Sequence, residues 1–362
     1  MTARSDQQLP ALTGIRFLLA LWVIGQHLTG PQQRLGIQAL RLPYPIYRII
    51  RGGDLAVDIF FMLSGFLLAR GYASTRWSGP KLRQYFLGRF ARVYPVYLLS
   101  LVLVAPFIAA DWKPDTGRYL ADYILLLQGW IGTMPVNWNT PAWTLSCEIF
   151  FYLVFPVAVF PIRRPRWRTV ILYSAAACTM TRVARTVGLP DSVQPLVHFS
   201  DFLMGIGAAG AFGLLQRRSE RPPGSWLYLP GFAVIGMLIV WPNLLPWGID
   251  LNSALKPLNG ILLIGLALGG GVVARGLSSE LVVYLGKSSY AMYILHVPIM
   301  WWCWRRGEMN PVLYAAVVVA VSALVYGLYE EPANRWMRGR DRRKRRPETG
   351  VAPTPLSAGS SA

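Results

Sequence analysis

Ten apolar segments, separated by short polar or basic stretches, make up most of the chain. Each is 18 to 23 residues long, and a helix needs roughly 20 predominantly apolar residues to cross the hydrocarbon core of a bilayer. The segments lie at about 11–29, 54–73, 93–110, 142–161, 169–188, 198–216, 227–247, 256–275, 281–303 and 312–330. The pattern predicts an all-α polytopic membrane protein with about ten transmembrane helices in one bundle.

Residues 119–131 (YLADYILLLQGWI) form a further apolar stretch, which is too short for a comfortable span. Counting this stretch as a span would place the basic loop 162–168 (IRRPRWR) on the outer side of the membrane. We therefore predict a re-entrant or interfacial helix on the outer side here.

Basic residues are distributed unevenly between the loops, and this distribution predicts the orientation. Cytoplasmic loops carry an excess of Lys and Arg, and four basic stretches share one side if both termini are cytoplasmic. These stretches are 70–92, 162–168, 217–221 and 335–346. Loop 30–53, with four Arg, and the pair Arg305–Arg306 fit less well. The balance predicts a multi-pass protein of the cell membrane with both termini in the cytoplasm.

The apolar segments leave no room for a separate soluble module. We predict one transmembrane domain at 8–335, followed at 336–362 by a basic cytoplasmic segment and a tail. The sequence after Pro347, ETGVAPTPLSAGSSA, is of low complexity and is predicted to be disordered.

Composition narrows the possible partners. Only 15% of the residues are charged and 54% are hydrophobic, with a net charge of +19. In a membrane protein this excess indicates a bilayer with anionic headgroups, and without a recognition motif we expect no nucleic acid. Cys147, Cys178 and Cys303 lack the spacing of a zinc site or a disulfide framework, so we expect no metal. The N-terminus lacks a signal-peptide cleavage pattern, so the first span is expected to be retained.

The first apolar segment carries an arginine and a histidine, which are costly inside a span. Arg16 and His27 are eleven residues apart, which is about 16 Å along a helix and returns to within roughly 20° of the same direction. Both side chains therefore lie on one face, one near each side of the bilayer. They are either functional residues or an anchoring Arg and a His that caps the helix end.

Two carboxylates interrupt other apolar segments. Asp58 lies in the second, and Glu148 enters the fourth, five residues after Trp143. Carboxylates within a span normally face the bundle interior and have a partner. For Asp58 the structural alternative is a buried ion pair between two helices, with Arg16 as a candidate partner. Trp143 is a candidate substrate-binding residue or an ordinary residue of the interfacial aromatic belt.

Arg89 and Arg92 are three residues apart, so they are neighbours on one helix face where the third span begins. A pair of guanidinium groups suits the binding of phosphates. The alternative is the ordinary basic flank of a cytoplasmic loop.

The other two histidines are predicted to be structural. His296 lies in the middle of the ninth segment and precedes Val-Pro, so we expect it to hydrogen-bond within the bundle. His198 is followed three residues later by Asp201, which predicts a local pair between them.

Six motifs occur in the order that is typical of the acyltransferase-3 family of integral membrane O-acyltransferases. The chain resembles this family over roughly residues 8–335. The motifs are LTGIRFLLALWVIGQHL, GGDLAVDIFFMLSGFLL, GRFARVYPVYLL, PAWTLSCEIFFYLVFP, LGKSSYAMYILHVPI and YEEPANRW. The resemblance implies ten membrane helices, a cytoplasmic acyl-CoA donor and acylation of a hydroxyl, usually on a carbohydrate. It implies that His27 is catalytic and that Arg16, Arg89 and Arg92 are essential, the last two near the donor.

The chain departs from the family pattern at three points. Glu148 is followed by Ile149, where the family often has a second acidic residue, and Thr144 replaces a common Ser. We see no appended extracytoplasmic esterase-like domain, so we expect transfer to be completed within the membrane part or by a partner.

We therefore predict an O-acyltransferase that moves an acyl group, expected to be acetyl, from acyl-CoA to a hydroxyl of a carbohydrate or a glycosylated secondary metabolite. No cofactor is expected to be bound. The imidazole of His27, with an ordinary pKa near 6.5, acts as a base or as a transient acyl carrier. Asp58 or Glu148 orients this imidazole, and Trp143 contacts the substrate.

Two rival hypotheses fit the same residues. Buried His, Asp, Glu and Arg also suit a proton-coupled transporter or a flippase of glycan or lipid intermediates. The second rival hypothesis is a non-catalytic membrane protein that takes part in polymer assembly. Acyl-CoA hydrolysis or transfer by the purified protein separates the enzyme from both.

Overall fold

Helices form all the regular secondary structure in the part of the chain that the computed structural model describes. This part is residues 9–29, 42–132, 138–189, 193–246, 249–307 and 310–343. The helices are α1 (Pro10–His27), α2 (Tyr44–Arg51), α3 (Leu55–Tyr72), α4 (Gly79–Ala110), α5 (Thr116–Ile124), α6 (Gln128–Ile131), α7 (Trp143–Ala158), α8 (Trp167–Val187), α9 (Gln194–Gln216), α10 (Ser225–Val240), α11 (Leu251–Leu268), α12 (Gly271–Leu277), α13 (Glu280–Lys287), α14 (Ser289–Arg305), α15 (Pro311–Val325) and α16 (Glu331–Arg343). A π-helical turn, Tyr326–Glu330, joins α15 to α16. The predicted all-α class is confirmed.

Six helical stretches are long and apolar enough to cross a membrane. They are Tyr44–Tyr72, Gly79–Ala110, Thr140–Ala158, Gln194–Gln216, Leu251–Leu268 and Pro311–Met337. Three of the other predicted segments are occupied by α1, α8 and α10, and the fourth, 281–303, is divided at Ser288 between α13 and α14. The segment 256–275 also extends beyond α11 into α12. The helices are consistent with about ten spans.

The apolar stretch 119–131 does not form a spanning helix. It is divided between α5, which has nine residues, and α6, which has four. At 1.5 Å per residue α5 is only about 14 Å long. Hydroxyls of α4 cap its end, because Tyr97 donates to the Tyr123 carbonyl and Tyr94 to that of Ile124, both at 2.6 Å. The stretch therefore contains no helix of spanning length, and the prediction of a re-entrant or interfacial helix on the outer side stays a prediction.

The end of the predicted domain falls within a helix. The predicted boundary between residues 335 and 336 lies inside α16, so the basic segment continues a helix that begins at Glu331. The low-complexity tail after Pro347 and most of loop 30–53 (residues 30–41) lie outside the described residues.

The direction of α1 distinguishes two ends of the bundle. We call the end where α1 begins the Pro10 face and the end where it stops the His27 face. Arg16 of α1 lines a cavity with Ser289, the first residue of α14. Farther along both helices, the rings of His27 and His296 are 4.7 Å apart. α14 therefore runs parallel to α1.

α4 runs parallel to α14. The Tyr290 hydroxyl donates to the Val93 carbonyl at 2.6 Å, and the Trp302 indole donates to the Leu103 carbonyl at 3.0 Å. Both contacts advance in the same direction along the two helices. Three helices thus run from the Pro10 face toward the His27 face side by side.

The arginine pair of the third segment lies within α4 and not in the loop before it. α4 has 32 residues and begins at Gly79, so it is about 48 Å long, well over the roughly 30 Å of a hydrocarbon core. Arg89 and Arg92 are ten and thirteen residues from its start. The helix carries both side chains into the bundle.

α3 and α9 pack together closely. Gly53, just before α3, packs against Trp22 in α1, so α3 begins at the His27 face. A Cβ on Gly65 would collide with the Phe202 carbonyl of α9, and one on Gly205 would collide with α3 in the same way. Small residues allow this backbone approach in membrane helices.

Candidate active site

A small cavity lies between α1, α3, α7 and α14. Its volume is about 50 Å³. One water needs roughly 10–15 Å³ on this measure, so the cavity has room for a few waters or a small acyl group but not for a nucleotide. It is lined by Arg16, Val57, Phe60, Phe61, Thr144, Leu145, Glu148, Ser289, Tyr290 and Tyr293.

Charged side chains surround Arg16 inside the bundle. Its guanidinium interacts electrostatically with Arg92, Glu330 and Glu148. Glu330 interacts in turn with both Arg92 and Arg16. Within 4 Å, the described residues show no ion pair for either arginine.

Arg89 extends this charged cluster along α4. Its guanidinium carbon lies 5.9 Å from the ring centres of both Tyr85 and Tyr152, a cation–π arrangement that holds the side chain in place. Its Nε is buried and makes no hydrogen bond among the described residues. The Tyr152 hydroxyl donates to the Glu148 carboxylate at 2.7 Å, so aromatic residues connect the arginines to the cavity.

Glu330 is a member of the cluster that sequence reasoning did not single out. It is 6% exposed and sits in the π-helical turn between α15 and α16. π-helical turns are frequent at functional sites, and one carboxylate oxygen of Glu330 is buried without a partner in the described part of the chain. The available signal was the motif YEEPANRW, in which Glu330 is the first acidic residue.

His27 lies at the end of α1, half-buried. Its Nδ1 bonds to the Val23 carbonyl at 2.9 Å. Because a carbonyl only accepts, Nδ1 carries the proton and Nε2 has a free lone pair. The prediction that Asp58 or Glu148 orients this imidazole is wrong, since the backbone of the preceding turn does so.

His296 faces His27 across the α1–α14 contact. The two rings meet edge to face, with an interplanar angle of 72°. The predicted hydrogen bond within the bundle is present, because His296 Nδ1 bonds to the Tyr293 carbonyl at 2.6 Å. Its proximity to His27 was not predicted, since the two residues are far apart in sequence.

Arg16 and His27 lie on the same face of α1, as predicted. Arg16 shares a cavity with Ser289, and His27 contacts His296, both in α14. Eleven residues of helix separate the two positions by about 16 Å. A charged cavity and a histidine pair thus stand at two levels of one helix–helix seam.

Asp58 belongs to a different cluster and pairs with neither Arg16 nor His27. It lies 3.3 Å from Nδ1 of His198, which is 3.4 Å from Asp201. Lys256 of α11 forms an ion pair with Asp201 and donates to Ser200 at 3.0 Å. The predicted pair of His198 and Asp201 is confirmed, and the suggested partner of Asp58 is corrected.

This second cluster joins α3, α9 and α11. One carboxylate oxygen of Asp58, one of Asp201 and a ring nitrogen of His198 all lie within 4.8 Å of one another, a spacing that suits a cation. The ammonium group of Lys256 supplies the positive charge here, because it forms an ion pair with Asp201. The cluster is therefore an ion network that fastens three helices, rather than part of the His27 site.

Trp143 and Glu148 are separated by the structure. Trp143 packs on His198, with ring centres 5.2 Å apart, at the second cluster. Glu148 lines the cavity of Arg16. Glu148 thus lies one to two turns closer to the Pro10 face than Trp143.

Comparison with known proteins identifies related sequences. A family model described as an acyltransferase domain matches residues 9–330. The acyltransferase MdmB of Streptomyces mycarofaciens is 29% identical over an alignment of 402 positions. The alignment covers 97% of this chain and 96% of that protein. The exopolysaccharide production protein ExoZ of Rhizobium meliloti is 28% identical, covering 76% of this chain and 80% of that protein.

A third relative matches over a shorter region. The peptidoglycan O-acetyltransferase OatA of Listeria monocytogenes is 27% identical over 172 residues, which cover 43% of this chain and 25% of that protein. No solved structure matches the chain.

Proposed function

The chain belongs to the acyltransferase-3 family of membrane O-acyltransferases, and on this basis we propose that it transfers an acetyl group from cytoplasmic acyl-CoA to a carbohydrate hydroxyl. The observation that carries the proposal is the arrangement along α1. Arg16 lines a cavity within a cluster of arginines, and His27 stands beside His296 farther along the same seam.

We assign the phosphates of acyl-CoA to Arg89 and Arg92. Guanidinium groups bind phosphate oxygens in a bidentate manner, and the buried Nε of Arg89 has no partner among the described residues. Acetyl is proposed as the acyl group because one relative is by name a peptidoglycan O-acetyltransferase. The thioester end of acyl-CoA would extend from these arginines toward His27.

We propose a carbohydrate hydroxyl as the acceptor, either in a glycan or on a glycosylated small molecule. The support comes from the relatives. One is by name a peptidoglycan O-acetyltransferase, and another an exopolysaccharide production protein. MdmB, an acyltransferase, matches nearly the full chain without an additional region.

Thiol release from acetyl-CoA tests the proposal directly. The purified protein should release free CoA thiol and transfer the acetyl group, whereas a transporter or a scaffold would release none. Mass spectrometry of glycans and metabolites from a deletion strain should then find one species that has lost an acetyl mass. Absence of thiol release by well-folded protein would contradict the function.

Replacing Arg89 and Arg92 by Lys, singly, is expected to raise KM for acetyl-CoA by about tenfold or more. A lysine keeps the charge but cannot provide the bidentate fork of a guanidinium, and tenfold corresponds to about 1.4 kcal/mol. The measurement is thiol release at varied acetyl-CoA. Arg76→Lys, at an exposed position in the connection before the same helix, is the matched control. An unchanged KM in both site variants would contradict the donor assignment.

We also propose that the Pro10 face is cytoplasmic and that the acceptor is reached from the His27 face. Arg163 donates to the Thr75 carbonyl at 2.7 Å, so the connection between α3 and α4, which carries Arg76, and the basic loop 162–168 share one face, in agreement with the positive-inside rule. α2, which carries Arg48 and Arg51, packs at the opposite face through the bond from the Trp22 indole to Ile49.

Sealed proteoliposomes of uniform orientation test this sidedness. With acetyl-CoA at the Pro10 face alone and the acceptor identified by mass spectrometry at the His27 face alone, acylated product should form. Detergent-opened vesicles supply the total activity for comparison. Product that forms only when both substrates are at the Pro10 face would exclude transfer across the bilayer while leaving the acyltransferase function intact.

A further inference from the structure

We propose that His296 is a second catalytic residue, the general base that deprotonates the acceptor hydroxyl while His27 carries the acetyl group. This inference rests on the proposed function and adds a division of labour to it. Two reacting groups are needed if acyl transfer occurs in two steps, because an imidazole that carries the acyl group has no lone pair left for a proton.

The two imidazoles have the same protonation pattern. Nδ1 of His27 bonds to the Val23 carbonyl, and Nδ1 of His296 bonds to the Tyr293 carbonyl. Both Nδ1 atoms therefore carry the proton, and both Nε2 atoms have a free lone pair. With ring centres 4.7 Å apart, an acyl group carried by His27 lies next to the imidazole of His296.

The backbone around His296 is fixed from outside its own helix. Pro298 has no N–H, so it cannot satisfy the Ile294 carbonyl within α14. The side chain of Asn139 donates to that carbonyl at 3.0 Å instead. The Tyr314 hydroxyl donates to the His296 carbonyl at 2.7 Å. The ring is thus held in a defined position beside His27.

Nε2 of His296 is unusual for a purely structural histidine. The residue is fully buried, and within the described part of the chain this nitrogen makes no hydrogen bond. A buried acceptor without a donor is costly, and native proteins keep few such atoms. A substrate hydroxyl that donates to Nε2 would satisfy it, and this is the role we assign to the acceptor.

The two steps balance as follows. Nε2 of His27 attacks the thioester carbon of acetyl-CoA, the C–S bond breaks, and CoA thiolate leaves an acetyl-imidazolium on His27. The acceptor oxygen then attacks the acetyl carbon, its proton passes to Nε2 of His296, and the C–N bond to His27 breaks. The ester leaves, His27 returns to the neutral form, and the proton on His296 neutralises the thiolate to CoA thiol.

His296→Asn tests this assignment without a known acceptor. The Asn amide can still donate to the Tyr293 carbonyl but has no basic nitrogen. Rapid-quench measurement of thiol release from acetyl-CoA should give a burst near one thiol per protein in the wild type and in the variant. Subsequent turnover, with water as acceptor, should be about 100-fold or more slower in the variant. Hydroxylamine, which attacks acyl groups as a neutral amine without a base, should restore its turnover.

A matched control and the opposing outcomes complete the experiment. Tyr284→Phe removes a hydroxyl that bonds to the Ala323 carbonyl at 3.0 Å, away from the histidine pair, so it should turn over within a few-fold of wild type, with no selective gain from hydroxylamine. Wild-type turnover in His296→Asn, loss of its burst, or failure of hydroxylamine to restore it would overturn the inference. A wild type that forms product without a burst would also overturn it and leave the proposed function standing. A wild type that releases no thiol would refute the function itself.

Discussion

Replacing His27 by Ala is expected to lower acyl transfer by about 1,000-fold or more while the protein remains inserted and folded. His27 is the imidazole with a free Nε2 that lies on the α1 face of Arg16. Loss of a positioned base or nucleophile typically costs 10²- to 10⁴-fold, and 1,000-fold corresponds to about 4 kcal/mol of transition-state free energy. The measurement is the transfer rate of purified protein at saturating acetyl-CoA.

Folding should be affected little by this substitution. His27 is only half-buried, and its side chain bonds to its own helix, at the Val23 carbonyl; such a bond contributes about 1 kcal/mol. Gln26→Ala, in the same turn, is the matched control and should keep near-normal transfer. Activity above a tenth of wild type in His27→Ala would remove His27 from the reaction, provided that thermal unfolding shows both proteins to be folded.

Replacing Lys256 by Met is expected to destabilise the protein by about 3–5 kcal/mol, the usual cost of leaving a buried charge without its partner. The side chains of Lys256 and Asp201 are each 3% exposed, and they form an ion pair that joins α11 to α9. Asp58 adds a second carboxylate through His198. Without the ammonium group, two buried acids would share one imidazole. The measurement is thermal unfolding of the purified protein in detergent.

A second substitution isolates the electrostatic cause. Adding Asp201→Asn to Lys256→Met removes the stranded charge and should recover much of the lost stability, giving an interaction energy in a double-mutant cycle. Lys287→Met changes an exposed lysine and should unfold like the wild type. If the double variant were no more stable than Lys256→Met, the ion pair would not be the source of the loss.

Several properties follow from the sequence by itself. Apolar segments of membrane-spanning length predicted an all-α bundle because an unpaired backbone cannot cross a bilayer, so only helices satisfy its polar groups locally. The same-face relation of Arg16 and His27 also followed, since the helical repeat is fixed by backbone geometry. So did the family, because its motifs are local and ordered along the chain.

Tertiary structure alone decided which distant side chains meet. Asp58 was a candidate partner for His27 or Arg16, yet the close contact of α3 with α9 through Gly65 brings it to His198. His296 was expected to be structural, yet the parallel packing of α1 and α14 places its ring against His27.

Glu330 also separates what the sequence determines from what the tertiary structure decides. Its motif is visible in the sequence, but its proximity to Arg16 and Arg92 depends on how the helix that carries it packs against the bundle. Helical periodicity fixes the face on which a side chain lies, whereas the neighbour of that face depends on packing between segments far apart in the chain. For this protein, the sequence by itself determined the helices, their faces and the family. Only the tertiary structure decided that one seam holds both the arginine cavity and the histidine pair, because that pairing depends on contacts between helices.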